Sequence, residues 1–62
     1  RERLLLAALD AGARSEEELL DRAWHDAPAA LRPAAALTLR AHLAKLQAEA
    51  RLPADLDASL LA

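Results

Sequence analysis

The 62-residue sequence contains no cysteine, methionine, phenylalanine or tyrosine, and it also lacks valine and isoleucine. The absence of cysteine excludes disulfide bonds, which small domains often use to supplement a thin core. Strands are enriched in β-branched and aromatic residues, of which Thr38 and Trp24 are the only examples. Because leucine and alanine supply nearly all of the apolar content and are strong helix formers, we expect an all-α domain.

The short length allows one domain with one small core. Such a core rarely supplies more than about 3 to 5 kcal/mol of net stability. Because the chain starts at Arg1 and not at methionine, we expect it to be a piece of a longer polypeptide that supplies further contacts. No apolar run approaches the roughly 18 to 20 residues that span a bilayer, so we expect a cytoplasmic domain without membrane contact.

Two helices are predicted in the first third of the chain. Leucines on one side of residues 2–10 indicate the first helix, and Gly12 suits the left-handed conformation in which many helices end. Ser15, followed three residues later by Glu18, has the pattern of a capping box and predicts a second helix over about residues 16–24. Ser15 and Glu18 are therefore assigned a structural capping role.

A third, longer helix is predicted over about residues 28–50. We expect a short turn at residues 28–32 and a main helix from Pro33, because proline suits a first helical turn. Along this helix, apolar residues recur at three- and four-residue steps, namely Ala36, Leu39, Leu43, Leu46 and Ala50. The three helices define a helix-turn-helix core at residues 1–52.

Residues 53–62 form a separate C-terminal segment. Leu56 and Leu60 are four residues apart, which favours a short helix beginning at Pro53. The alternative is a degenerate β-hairpin, the remnant of a wing. The segment has no glycine for a tight turn and no aromatic or branched residue to pair across strands, so the helix or an irregular segment is favoured.

The net charge of −2 is unevenly distributed. Residues 10–27 hold six acidic residues against two arginines, whereas residues 28–51 hold four basic residues against Glu49 alone. If the third helix acts as a recognition element, the basic residues are candidates for contacting nucleic-acid phosphates. The alternative is a solvated face with ion pairs. These candidates are Arg32, Arg40, Lys45 and Arg51.

No residue is assigned a catalytic or metal-binding role. His25 and His42 are the only histidines, and neither is surrounded in sequence by the three or four ligands that a zinc site requires. Trp24 ends the apolar stripe of the second helix. We interpret it as a core or interdomain anchor, together with three residues of the third helix: Leu39, Leu43 and Leu46.

Residues 1–24 and 27–52 closely resemble the winged-helix domain at the C-terminus of many metallo-β-lactamase-fold hydrolases. The long helix of that domain usually ends at a glycine, followed by a basic residue, an aliphatic residue and a two-stranded hairpin. Here Ala50 replaces the glycine, Arg51 and Leu52 are retained, and the rest lacks hairpin residues. The resemblance predicts a three-helix winged-helix domain with a reduced wing, all-α or with a minimal β-wing. It is carried by the start at residues 1–3, the Gly12 turn, and residues 15–19, 31–35 and 41–49.

The resemblance implies a parent enzyme, a zinc-dependent hydrolase whose histidines and aspartates hold two metals and activate a water molecule. Relatives of this kind include single-strand endoribonucleases and thioester or ester hydrolases. The chain itself is then a non-catalytic accessory domain without a cofactor, which packs on the catalytic domain and shapes substrate access. Two alternatives remain open: a DNA- or RNA-binding module of a regulator, and a helical self-association module that forms an oligomer.

Overall fold

The computed structural model describes residues 1–61, and all regular structure in that range is helical. Three α-helices form the body of the domain: α1 at Glu2–Asp10, α2 at Glu16–Ala23 and α3 at Arg32–Ala48. A 3₁₀ helix at Ala29–Leu31 precedes α3, and a second one at Ala58–Leu61 follows it. The all-α class is therefore confirmed, and residues 1–61 contain no strand of a wing.

A glycine turn ends α1. The amide of Gly12 donates to the carbonyl of Leu9 (3.1 Å), and the amide of Ala13 donates to the carbonyl of Ala8 (3.0 Å). This pair of bonds is a Schellman motif, which requires a left-handed residue at the position of Gly12. The φ angle of Gly12 is 102°, so its lack of a Cβ atom lets the chain reverse towards α2.

A capping box starts α2. The amide of Glu18 donates to the Ser15 Oγ (3.2 Å), and the amide of Ser15 donates to the Glu18 carboxylate (3.3 Å). Hydrogen bonds from the amide of Arg14 and from Ser15 hold the pKa of Glu18 below its usual range. The helix ends at Ala23, one residue before the predicted end. Trp24 is its C-cap, because its φ and ψ of −125° and 35° leave the helical region.

The predicted third helix at residues 28–50 is divided into two elements. The chain forms a 3₁₀ turn before Arg32, and the α-helix then starts one residue before Pro33, which lies in its first turn where no amide donor is needed. The helix ends two residues earlier than predicted, because Ala50 adopts a left-handed φ of 56°. The amides of Ala50 and Arg51 then donate to the carbonyls of Gln47 (3.0 Å) and Leu46 (2.9 Å).

The C-terminal segment folds back onto the helices. Its 3₁₀ helix starts at Ala58, not at Pro53 as predicted, because the Asp57 carboxylate accepts from the amide and hydroxyl of Ser59 (3.0 and 2.8 Å) and caps the turn there. The amide of Asp57 also donates to the carbonyl of Arg14 (3.2 Å). Ala62, the last residue of the predicted segment 53–62, lies outside the described residues.

The core lies between the three α-helices and is closed by the C-terminal segment. On α3, Ala35 is buried in place of the predicted Ala36, which is half-buried, while Ala50 is exposed beyond the helix end. Trp24 lies in this core at the end of α2. No helix in the described part of the chain has the length and hydropathy needed to cross a bilayer. The larger buried side chains are Leu5, Leu9, Leu19, Leu20, Trp24, Leu39, Leu43, Leu46, Leu56 and Leu60.

Candidate functional site

The basic residues of α3 are held in ion pairs with the other helices. Arg40 donates to the Glu16 carboxylate of α2 (2.7 Å) and to the carbonyl of Ser59 in the C-terminal segment (2.9 Å). Lys45 donates to Glu2 of α1 (2.8 Å). The bond from Lys45 holds the pKa of Glu2 below its usual range, and the same bond raises the pKa of Lys45.

The other two candidates for phosphate contact are also paired. Arg32 donates to Asp21 of α2 (2.8 Å), whereas Arg51 pairs with Glu49 within the same turn (3.1 Å). Their carboxylate partners remain partly exposed, so each pair contributes only about 0 to 1 kcal/mol to stability. The four predicted residues therefore do not form one basic patch with free charge. Each is already neutralised locally by an acidic neighbour.

Arg14 donates three side-chain hydrogen bonds, and the sequence did not single it out. Its guanidinium donates to the carbonyls of Leu9 and Ala13 (both 2.8 Å) and to the Asp55 carboxylate (2.7 Å). The bond from Arg14 lowers the pKa of Asp55. Arg14 thus ties the end of α1 to the C-terminal segment, across 41 positions of sequence. A single arginine in a turn carries no periodic signal that would identify it beforehand.

Trp24 contacts a cation and a histidine ring. The Arg1 guanidinium is 5.5 Å from the Trp24 ring centroid, and it also donates to the carbonyl of Ala23 (2.7 Å) and to Asp26 (2.7 Å). The His42 ring centroid is 6.0 Å from that of Trp24, and the two ring planes are inclined by 59°. Trp24 is only 5% exposed, so these contacts hold a core residue in place and leave little of its ring available to stack on a base.

The two histidines are not brought together with other metal ligands. Within residues 1–61, no three histidine, cysteine, aspartate or glutamate side chains form a group that could hold a metal ion. His42 contacts Trp24, while His25 is exposed in the connector after α2.

The helix α3 is apolar on two opposite sides. Its buried side faces the core. The side turned to solvent carries apolar residues that recur at alternating three- and four-residue steps. Leu37, at the centre of this stripe, is 71% exposed, and Leu31 in the preceding 3₁₀ turn is 55% exposed. We call this surface the outer face, and it consists of Leu31, Ala34, Leu37, Ala41, Ala44 and Ala48.

A groove between α2 and α3 adjoins the outer face. Its floor is apolar and is formed by Leu20, Pro33 and Ala36. Leu37 lies one helical turn after Pro33, on the same side of α3, so the outer face borders the groove. The remaining lining residues are charged and form the rim: Glu16, Glu17 and Arg32.

The model of one family, described as the beta-lactamase associated winged helix domain, matches residues 15–58. This match starts at the capping box, includes α2 and α3, and extends into the C-terminal 3₁₀ helix. No curated protein matches the chain. No solved structure matches it either.

Proposed function

Because the chain belongs to the beta-lactamase associated winged helix domain family, we propose that it is the accessory domain of a metallo-β-lactamase-fold, zinc-dependent hydrolase. In this role the chain is non-catalytic. It packs on the catalytic domain of the parent polypeptide, stabilises it and shapes the access of substrate to the active site. The observation that carries this proposal is the family match over residues 15–58, which spans most of the folded unit.

The side-chain arrangement supports a protein partner over nucleic acid. Phosphate binding requires basic side chains whose charge is available. Arg32, Arg40 and Lys45 are each paired with a carboxylate of α1 or α2. The outer face of α3 carries no charged residue, and α2 begins with three consecutive glutamates, which repel phosphate.

In this proposal the chain has a structural role in hydrolysis and no chemical one. The parent catalytic domain supplies the zinc ions and the activated water, and the chain forms a rigid surface beside the active site. Its rigidity comes from the leucine core and from ion pairs that join separate elements, such as Arg14 to Asp55 and Arg40 to Glu16. A rigid surface in this position restricts which substrates reach the active-site cleft of the catalytic domain. No group of the chain itself touches the reacting atoms.

The parent polypeptide provides the test. We expect the purified full-length protein to contain zinc and to hydrolyse at least one compound of a panel of thioesters, esters and single-stranded RNA. Deletion of the chain should lower the thermal midpoint of the catalytic domain and change KM, while zinc content is retained. A full-length protein with no zinc-hydrolase domain would refute the proposal, and so would a deletion that alters neither the midpoint nor KM.

A further inference from the structure

The outer face of α3 and the adjoining groove form an uncovered apolar surface. It contains Leu31 and Leu37, two of the three large hydrophobic residues that are exposed in the described part of the chain. Single exposed leucines are common on soluble proteins. Here, however, Ala34 lies between Leu31 and Leu37, three alanines continue the apolar stripe beyond Leu37, and the apolar lining of the groove adjoins it. A contiguous apolar surface that is rimmed by charged residues is typical of a protein interaction site.

The rim of the groove has an excess of negative charge. Glu16 is paired with Arg40, and Arg32 with Asp21. Glu17 is exposed and has no cationic partner among residues 1–61. A partner that covers the groove therefore gains most by placing a lysine or arginine opposite Glu17. Because the outer face is built mainly of alanines, the partner must also supply the bulky side chains that fill the space above them.

A second copy of the chain does not meet these requirements. In an isologous dimer the same surface lies on both sides. Antiparallel pairing centred between Leu37 and Ala41 places the groove of each copy beside the C-terminal half of α3 of the other copy. The outer-face residues there are alanines, whose small side chains leave the groove unfilled. The stripe alone is also small for two separate chains, since a stable interface has roughly 20 to 30 residues on each side. A domain of the same polypeptide needs a smaller contact, because the covalent link raises its effective concentration.

We propose that the outer face and the groove are the surface by which the chain docks on the catalytic domain of its parent hydrolase. The proposed partner surface is apolar, presents bulky side chains to the alanines around Leu37, and places a basic residue opposite Glu17. This inference rests on the proposed function and adds to it the surface and the charge of the contact. In a recognition helix, the side of the helix that faces solvent enters a DNA groove. In this proposal the same side of α3 contacts a protein domain instead.

Thiol labelling of the full-length protein tests the docking surface. Cysteine is introduced by Leu37→Cys on the outer face or by Arg22→Cys on α2, a matched control at an exposed position on the opposite side of that helix from the groove. The labelling rate of each variant with a maleimide is measured in the native state and in urea. We expect Leu37→Cys to react at least about tenfold more slowly in the native protein, after normalisation to urea, and Arg22→Cys to show no such protection.

A charge reversal tests the proposed partner chemistry. Combined with Leu37→Cys, the change Glu17→Lys should remove most of the protection, whereas Asp10→Lys, at an exposed position of α1, should leave it unchanged. Equal native labelling of Leu37→Cys and Arg22→Cys overturns the docking surface. Retained protection in the Glu17→Lys background overturns the basic contact.

The outcomes for the two proposals are separable. If the full-length protein is a zinc hydrolase but Leu37→Cys is labelled freely, the accessory function stands and the docking surface is wrong. If Leu37→Cys is protected only at high protein concentration, the occupant is a second copy and the inference is wrong. If labelling is slowed only on addition of single-stranded RNA, the face binds nucleic acid, and the inference is again wrong.

Discussion

The two apolar sides of α3 predict opposite responses to the same substitution. Leu43 is fully buried, and Leu43→Ala removes three carbon atoms from the centre of the core. Substitutions of this kind cost about 2 to 5 kcal/mol, from lost transfer free energy and from the cavity that remains. A core of this size supplies only about 3 to 5 kcal/mol in total. We therefore expect the Leu43→Ala chain to be largely unfolded at 25 °C.

Leu37→Ala is the matched control on the same helix. Because Leu37 is 71% exposed, its truncation removes little buried area, and alanine is at least as good a helix former as leucine. We expect a change in the free energy of unfolding within about 0.5 kcal/mol.

Urea denaturation of the 62-residue chain, followed by circular dichroism at 222 nm, measures both effects. With a denaturant slope of about 1 kcal/mol per molar, Leu37→Ala should shift the midpoint by less than about 0.5 M, whereas Leu43→Ala should show no folded baseline. Two results would show that the buried and solvent sides of α3 are wrongly assigned. One is a Leu43→Ala chain whose urea midpoint lies within about 0.5 M of that of the unsubstituted chain, and the other is a Leu37→Ala chain that is destabilised as much as Leu43→Ala.

Three further predictions concern helix ends and charge. Ser15→Ala removes one acceptor of the capping box and should lower the free energy of unfolding by about 1 kcal/mol in urea melts; an unchanged midpoint would contradict the role of the cap. Gly12→Ala should destabilise the chain by about 1 to 2 kcal/mol, because the φ angle at this position is positive. Ala50 also has a positive φ, so Ala50→Gly should stabilise the chain by up to about 1 kcal/mol. Thermal midpoints that move in the opposite directions would contradict these two backbone conformations. The carboxyl groups of Glu18 and Asp55 have pKa values below the ordinary range in the folded chain. The stability that these groups contribute is therefore present above an ordinary carboxyl pKa of about 4. It is lost as the pH falls through the lower pKa of the folded state. Urea midpoints should therefore be level between about pH 5 and 7 and fall below about pH 4, and a midpoint that rises in acid would contradict this linkage.

The helical order could be predicted from the sequence because its signals are local. The capping box at Ser15 and the glycine turn at Gly12 each depend on residues within one helical turn, and both motifs are present in the structure. The end of α3 could not be placed to the residue. Ala50 occupies a left-handed conformation that the sequence pattern assigns to glycine, and alanine itself gives no sign of it.

The candidate site was only partly accessible from the sequence. Charge counting identified the basic residues of α3 but not their partners, because Glu2 and Lys45 are 43 positions apart and meet only when α1 packs beside α3. Leu37 does carry a signal in the sequence. It is out of phase with the buried leucines of α3, and its three- and four-residue spacing to neighbouring alanines marks a second apolar side. Which of the two sides faces the core is decided by tertiary packing.

The helical C-terminal segment has a consequence for association between chains. A hairpin wing would end in an edge strand, whose unpaired amides and carbonyls are a template for pairing with another chain. In residues 53–61 the polypeptide instead forms turns and a 3₁₀ helix and covers the core with Leu56 and Leu60, so this part of the described chain presents no edge strand to a neighbour. A domain that loses its wing in this way also loses a route to intermolecular β-pairing and aggregation.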